Sequence, residues 1–125
     1  MEKTLIIDGR EVRFKSTAAT TRRYRAQFGS DFFADIIKLI PIIENVEADS
    51  FKNLDYEALQ RLDFEVFENI IWVLAKTADP SIPEPLEWLD QFDEMPLMEV
   101  LPELQDLLTA SFQGKKNANH PALKK

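Results

Sequence analysis

The sequence contains no cysteine and a single histidine, His120. Without thiols there is no disulfide framework, no thiolate nucleophile and no cysteine-bound zinc. This composition suits a reducing compartment. His120 stands beside Pro121 in a polar C-terminal stretch. A serine triad needs an imidazole oriented in a packed site, so triad chemistry is excluded. Glycine is equally scarce: Gly9 sits in a turn, Gly29 ends a helix and Gly114 falls in the tail. None belongs to a loop that brings backbone amides onto phosphate. The longest uninterrupted apolar run, Ile70 to Ala75, is far short of the roughly 20 residues of a membrane-spanning helix. The opening residues carry neither the apolar stretch nor the cleavage site of a secretory signal. Asp90, Asp93 and Glu94 cluster without the alternating acids and central glycine of a calcium loop, and read as a solvated helix end. No catalytic residue, metal ligand or cofactor site is assigned.

What is present is charge, unevenly placed. Residues 1–30 hold 7 basic and 3 acidic groups, residues 31–112 hold 4 basic and 19 acidic groups, and residues 113–125 hold 4 basic groups. A basic N-terminal cap therefore precedes an acidic body. Such a body repels nucleic acid and anionic membranes, so neither is assigned as a partner. The positive ends can meet the negative body within one molecule or between copies, and a homo-oligomer is a candidate assembly.

At 125 residues the chain fits one domain. The expected fold is α+β, a mostly α-helical bundle of about five helices with an N-terminal β-hairpin. The domain spans 1–112, and a disordered basic tail spans 113–125. Asp8-Gly9 between two apolar runs predicts a two-residue type I′ hairpin. Its register pairs Leu5 with Val12 and Ile7 with Arg10, so Leu5, Ile7, Val12 and Phe14 share one face. Thr4, Ile6, Glu11 and Arg13 take the other. The first helix starts at Thr20 or Thr21 and stops at Gly29, with Tyr24 and Phe28 inward. The second follows the N-cap candidate Ser30, and Pro41 breaks or kinks it. Asp55 opens a short helix to Leu62. A central helix runs from Asp63 to Ala78, with Phe64, Phe67, Ile70, Ile71, Val73 and Leu74 around most of it and Trp72 on its narrow polar side. Three prolines make 79–85 a loop. A short helix spans Pro85 to Phe92. The last runs from Pro96 to Phe112, and Pro102 within it implies a kink or a start nearer Leu101.

Two features bear on function. Phe32, Phe33, Ile36, Ile37, Ile40, Ile42 and Ile43 give the second helix a wider apolar surface than one packing contact needs. Either all are core, or part of the surface receives an apolar helix of a partner. The partner-binding candidates are Phe32, Phe33, Ile36, Ile37, Ile40, Ile43, Trp72, Met95 and Met98. The second feature is Arg22, Arg23 and Arg25, which fan outward from the first helix. They pair with the domain's own carboxylates, touch a nucleic acid backbone, or form an edge toward another subunit or partner. The edge is preferred, because a whole acidic body opposes nucleic acid.

The chain resembles the tail assembly chaperones of long-tailed bacteriophages and prophages of Gram-positive hosts. The likeness rests on Leu5-Ile6-Ile7-Asp8-Gly9-Arg10-Glu11-Val12, on Ala18-Ala19-Thr20-Thr21-Arg22-Arg23-Tyr24-Arg25, on Asp63-Phe64-Glu65-Val66-Phe67-Glu68-Asn69-Ile70 and on Ala75-Lys76-Thr77-Ala78-Asp79-Pro80. Glu87-Trp88-Leu89-Asp90-Gln91-Phe92 and the last leucine stripe complete it. The resemblance covers most of 3–112 and is weakest at 41–60. It implies a non-enzymatic protein that binds the tape measure protein, keeps it soluble and helps bring major tail protein. It implies action in the bacterial host cytoplasm and absence from the mature virion. It also implies a longer product by ribosomal frameshifting, for which Gln113-Gly114-Lys115 and Lys115-Lys116 permit slippery codons. The alternative function is a small acidic regulatory adaptor for an apolar helix, with nucleic-acid binding behind it.

Overall fold

The computed structural model describes residues 1–47 and 63–109, with backbone alone for 40–47 and residue 98. Strands β1 (Glu2–Ile7) and β2 (Arg10–Lys15) form a two-stranded antiparallel hairpin with Leu5 opposite Val12 and Ile7 opposite Arg10. The turn has φ of 54° at Asp8 and 76° at Gly9, the two positive values that a type I′ turn demands. Ile7 and Phe14 are buried, and Leu5 and Val12 pack beside them, while Ile6 on the other face is 66% exposed. The Asp8 carboxylate also accepts from the Asp93 backbone N–H at 2.9 Å, so the turn anchors a distant loop. A Cβ at Gly9 would meet nothing within 4 Å. Gly9→Ala therefore carries only the left-handed backbone penalty, ~1–2 kcal/mol, and thermal unfolding should show a matching loss of stability.

Helix α1 (Thr20–Phe28) has no side-chain cap on its first turn. The predicted cap hydroxyl is used elsewhere: Thr20 Oγ1 accepts from Thr17 N–H at 3.0 Å and lies 3.2 Å from Thr77 Oγ1 in the interior. Gly29, at φ 72°, ends the helix in the left-handed conformation and returns its N–H to the Arg25 carbonyl. Helix α2 (Phe32–Glu47) is capped by Asp31 rather than Ser30, since Asp31 Oδ1 accepts from Ala34 N–H at 3.1 Å. It runs through Pro41 without ending, one hydrogen bond short at that turn. The short helix expected to begin at Asp55 lies outside the described residues, as do Phe112 and the tail.

Helix α3 (Phe64–Ala78) is the centre: β2, α1, α2 and the two later helices, α4 (Pro85–Leu89) and α5 (Leu97–Glu103), all pack on it. Asp63 caps it by accepting from Glu65 N–H at 3.1 Å. Ser81 closes the far end, donating its N–H and hydroxyl to Asp79 Oδ1 at 3.1 and 2.6 Å. These bonds hold the Asp79 carboxyl below its usual range. Phe64 departs from expectation: it is 46% exposed, because the first residue of the helix projects past the packed layers. Helix α4 (Pro85–Leu89) is shorter than the predicted span and anchors through buried Trp88. Helix α5 (Leu97–Glu103) contains Pro102 and closes at Leu104, after which helical turns resume at 105–109. The predicted long last helix is thus broken beside its proline, yet Val100, Leu101, Leu104, Leu107 and Leu108 all remain buried.

Candidate functional site

An open groove of about 540 Å³ lies between α1 and α2. Thr21, Arg22, Arg25 and Ala26 line it from α1; Asp31, Phe32 and Phe33 line it from the start of α2. The arginine edge and the apolar stripe, separate features of the sequence, meet in this one concavity. The groove exists because Gly29 turns the chain sharply and Asp31 restarts it as a helix. A row of aromatic rings supports the floor. Trp72 meets Phe28 edge-on at 5.6 Å, Phe28 lies 4.9 Å from Tyr24, Tyr24 meets Phe32 at 5.3 Å and Phe32 meets Phe33 at 5.8 Å. Such tilted contacts match ring edge to ring face.

One buried polar bond ties the two helices together. Tyr24 OH donates to Asp35 Oδ2 at 2.7 Å, and the exposed Lys38 ammonium lies 3.4 Å from Asp35 Oδ1. Burial, followed by the bond to and charge of Asp35, pushes the Tyr24 phenol well above its ordinary value of 10.0. Both partners are interior side chains, so the pair links α1 to α2 within the interior.

The three arginines take different environments. Arg22 is exposed and makes no ion pair among the described residues. Arg25 approaches Asp31 at 3.8 Å with both side chains more than half exposed, a pair that contributes about 0–1 kcal/mol. Arg23 does not fan outward as expected. It is half-buried, and its Nε is enclosed with no hydrogen-bond partner among the described residues, because its place on α1 turns the stem toward the body. Arg22 and Arg25 line the groove; Arg23 does not.

The apolar candidates also divide. Phe32, Ile36 and Trp72 are interior side chains, which corrects their assignment as partner-binding residues. Phe32 and Ile36 face the core layer of α2. Trp72 escapes the polar side of α3 because the 79–85 loop folds over it and offers the Pro83 carbonyl to its Nε1–H at 3.0 Å. Phe33 is half-buried at the groove, and Ile37, one helical turn on, is 57% exposed. Met95 packs half-buried against the core. The side chains of Ile40, Ile43 and Met98 lie outside the described residues.

Two smaller concavities are lined by residues already engaged. In one, of about 220 Å³, Arg10 donates to the Gln91 carbonyl at 2.8 Å and covers the Phe92 ring at 5.1 Å. Arg13 there donates to the Ala78 carbonyl and pairs with Glu2. These arginines fasten the hairpin to the helices. The other, of about 290 Å³, is polar and includes Asp35, Asp63 and Glu65. Nearby, burial and then the charge of Glu65 raise the Glu68 carboxyl. Among the described residues no group of three potential metal ligands converges, and no helix is long and apolar enough to cross a membrane.

Sequence reasoning missed Leu86, the most exposed large hydrophobic side chain among the described residues at 74%. The signal was available: Leu86 is two residues from Trp88, hence about 200° around the helix from the buried anchor. Compared with protein-family models, with curated proteins and with solved structures, the chain matches none of them.

Proposed function

We propose that this chain is a tail assembly chaperone of a long-tailed bacteriophage or prophage. It acts without catalysis, binding the apolar helices of the tape measure protein, keeping that protein soluble and assisting assembly of the tail tube from major tail protein. It works in the cytoplasm of the bacterial host and is absent from the mature virion. The observation that carries the reading is the outward apolar side of α2. Ile37 stands 57% exposed one turn from Phe33, on a helix that already buries Phe32, Ile36 and Leu39 on its core side. A solvent-facing isoleucine beside a half-buried phenylalanine offers an apolar helix a place to lie, at helical spacing. The acidic body around it, net −15 over residues 31–112 by the counts above, keeps the loaded complex in solution.

Holding a client this way depletes its free, aggregating form by mass action. Co-expression with the tape measure protein tests the reading. The wild-type chain should move that protein into the supernatant, and Ile37→Lys should lower the soluble fraction several-fold. Because Ile37 is exposed, its replacement should change this chain's own stability by about 0.5 kcal/mol or less. A tape measure protein that precipitates equally with and without this chain would end the chaperone reading.

A further inference from the structure

We infer that the groove between α1 and α2 receives the α4 knob of a second copy of this chain, so that copies associate head to tail. The knob is Leu86 with Glu87 and Asp90. Leu86 is 74% exposed, both acids are exposed, and neither carboxylate makes an ion pair or hydrogen bond among the described residues. Leu86 and Asp90 are four residues apart and share a face, with Glu87 beside them. The groove is the complement: apolar at Phe33 and Ala26, cationic at Arg22 and Arg25. Among the described residues Arg22 lacks an ion pair and Arg25 has only the loose 3.8 Å ion pair with Asp31.

The knob cannot be filling its own groove, because its leucine faces solvent. Both surfaces are held firm before they meet. Buried Trp88 anchors α4 from behind, and Gln27 of α1 donates to Glu84 at 3.4 Å. Phe32 and Phe33 in the groove belong to the aromatic row, and the Tyr24–Asp35 bond links the two helices that form it. Preformed surfaces lose little freedom on docking. Charge selects the occupant. The basic groups cluster in residues 1–30 and the acids in 31–112, so another copy presents the sign the groove lacks. A nucleic acid or anionic membrane would meet the same acidic body that surrounds the knob. Groove and knob are different surfaces, so the contact is heterologous and each docked copy leaves one groove and one knob open.

This inference does not depend on the chaperone reading, and its test contains no client. Sedimentation of the full chain at ~50 mM and ~500 mM salt, concentrations that bracket strong and weak screening, should show at least a twofold larger mass at low salt. Arg22→Glu with Arg25→Glu should give a monomer, and so should Glu87→Lys with Asp90→Lys. Mixing the two variants should restore association, because each groove then faces a knob of opposite sign. Leu86→Ser, a change at an exposed position, provides an independent arm should a double variant fail to fold, and it too should be monomeric. A wild-type chain that stays monomeric at low salt overturns the inference, even where it binds an added acidic helical peptide. So do variants that associate as the wild type does, or a mixture that stays monomeric.

Discussion

Replacing Trp72 by alanine is expected to lower the unfolding free energy by ~3–5 kcal/mol, the range for deleting a large buried aromatic side chain. Trp72 is 2% exposed at the middle of the central helix. Its ring meets Phe28 edge-on at 5.6 Å, and Lys76 Nζ lies 5.9 Å from its centroid. Its Nε1–H donates to the Pro83 carbonyl at 3.0 Å, and Lys76 Nζ donates to the neighbouring Ile82 carbonyl at 2.6 Å. Alanine would therefore open a cavity beneath α1 and free the loop that connects α3 to α4. Total stabilities of domains are about 5–15 kcal/mol, so the loss is a large share of what holds the fold. Trp72→Phe keeps an aromatic ring in the contact with Phe28 but drops the donor, and should cost ~1–3 kcal/mol for the unmatched carbonyl and lost volume. Urea unfolding of the three proteins gives the order wild type, Trp72→Phe, Trp72→Ala. An alanine variant as stable as wild type but deficient in holding a client would return Trp72 to the partner-facing surface.

The hairpin was legible because its chemistry is local. Asp8-Gly9 dictates the turn, the turn dictates the register, and alternation then decides that Ile7 goes in and Ile6 goes out. Helix ends were less legible because hydroxyls and carboxylates compete for them. Thr20 was a good cap by type, yet its oxygen serves Thr17 and Thr77, and at the next helix Asp31, one residue past Ser30, accepts from the first turn. The central role of α3 followed from its nearly all-round apolar surface. Trp72 did not, because a helical wheel records the helix's own faces and is blind to a loop that folds over one of them. The same blindness separated the arginines from the phenylalanines. Arg22, Arg25 and Phe33 become neighbours only because the chain turns at Gly29 and α1 packs on α2, with the Tyr24–Asp35 bond between the two helices. Leu86 was readable from its spacing to Trp88, but a five-residue helix is too short for a periodic pattern to stand out. Phe64 looked like core by type and is half outside by position, since a helix end reaches beyond the layer it joins.

The bond between these two helices predicts a second large effect. Tyr24→Phe removes only a hydroxyl, yet it leaves the interior Asp35 carboxylate without its 2.7 Å donor. A hydrogen bond to a charged group contributes ~1.5–3 kcal/mol, and the phenylalanine variant should be less stable by that amount at neutral pH. The pH dependence identifies the cause. Burial first, then the bond to and charge of Asp35, raise the Tyr24 phenol above its unfolded value, so the native state holds this proton more tightly than the unfolded chain. The contribution is complete below the unfolded value of about 10 and is lost as pH rises from there toward the raised native value. The slope is ~1.4 kcal/mol per pH unit for one group titrating only in the unfolded state. Tyr24→Phe has no such proton. The stability gap between wild type and Tyr24→Phe should therefore be constant from pH 7 to 9 and narrow above pH 10. Other alkaline groups cancel in the comparison because both proteins share them. Denaturant unfolding of the pair across that range measures the gap directly, and a gap that stays constant above pH 10 would show that the phenol is not held by burial and Asp35. Since the Tyr24–Asp35 bond links the two helices that form the groove, the same variant should also loosen the packing of α1 on α2 and weaken self-association at neutral pH, without touching any groove charge.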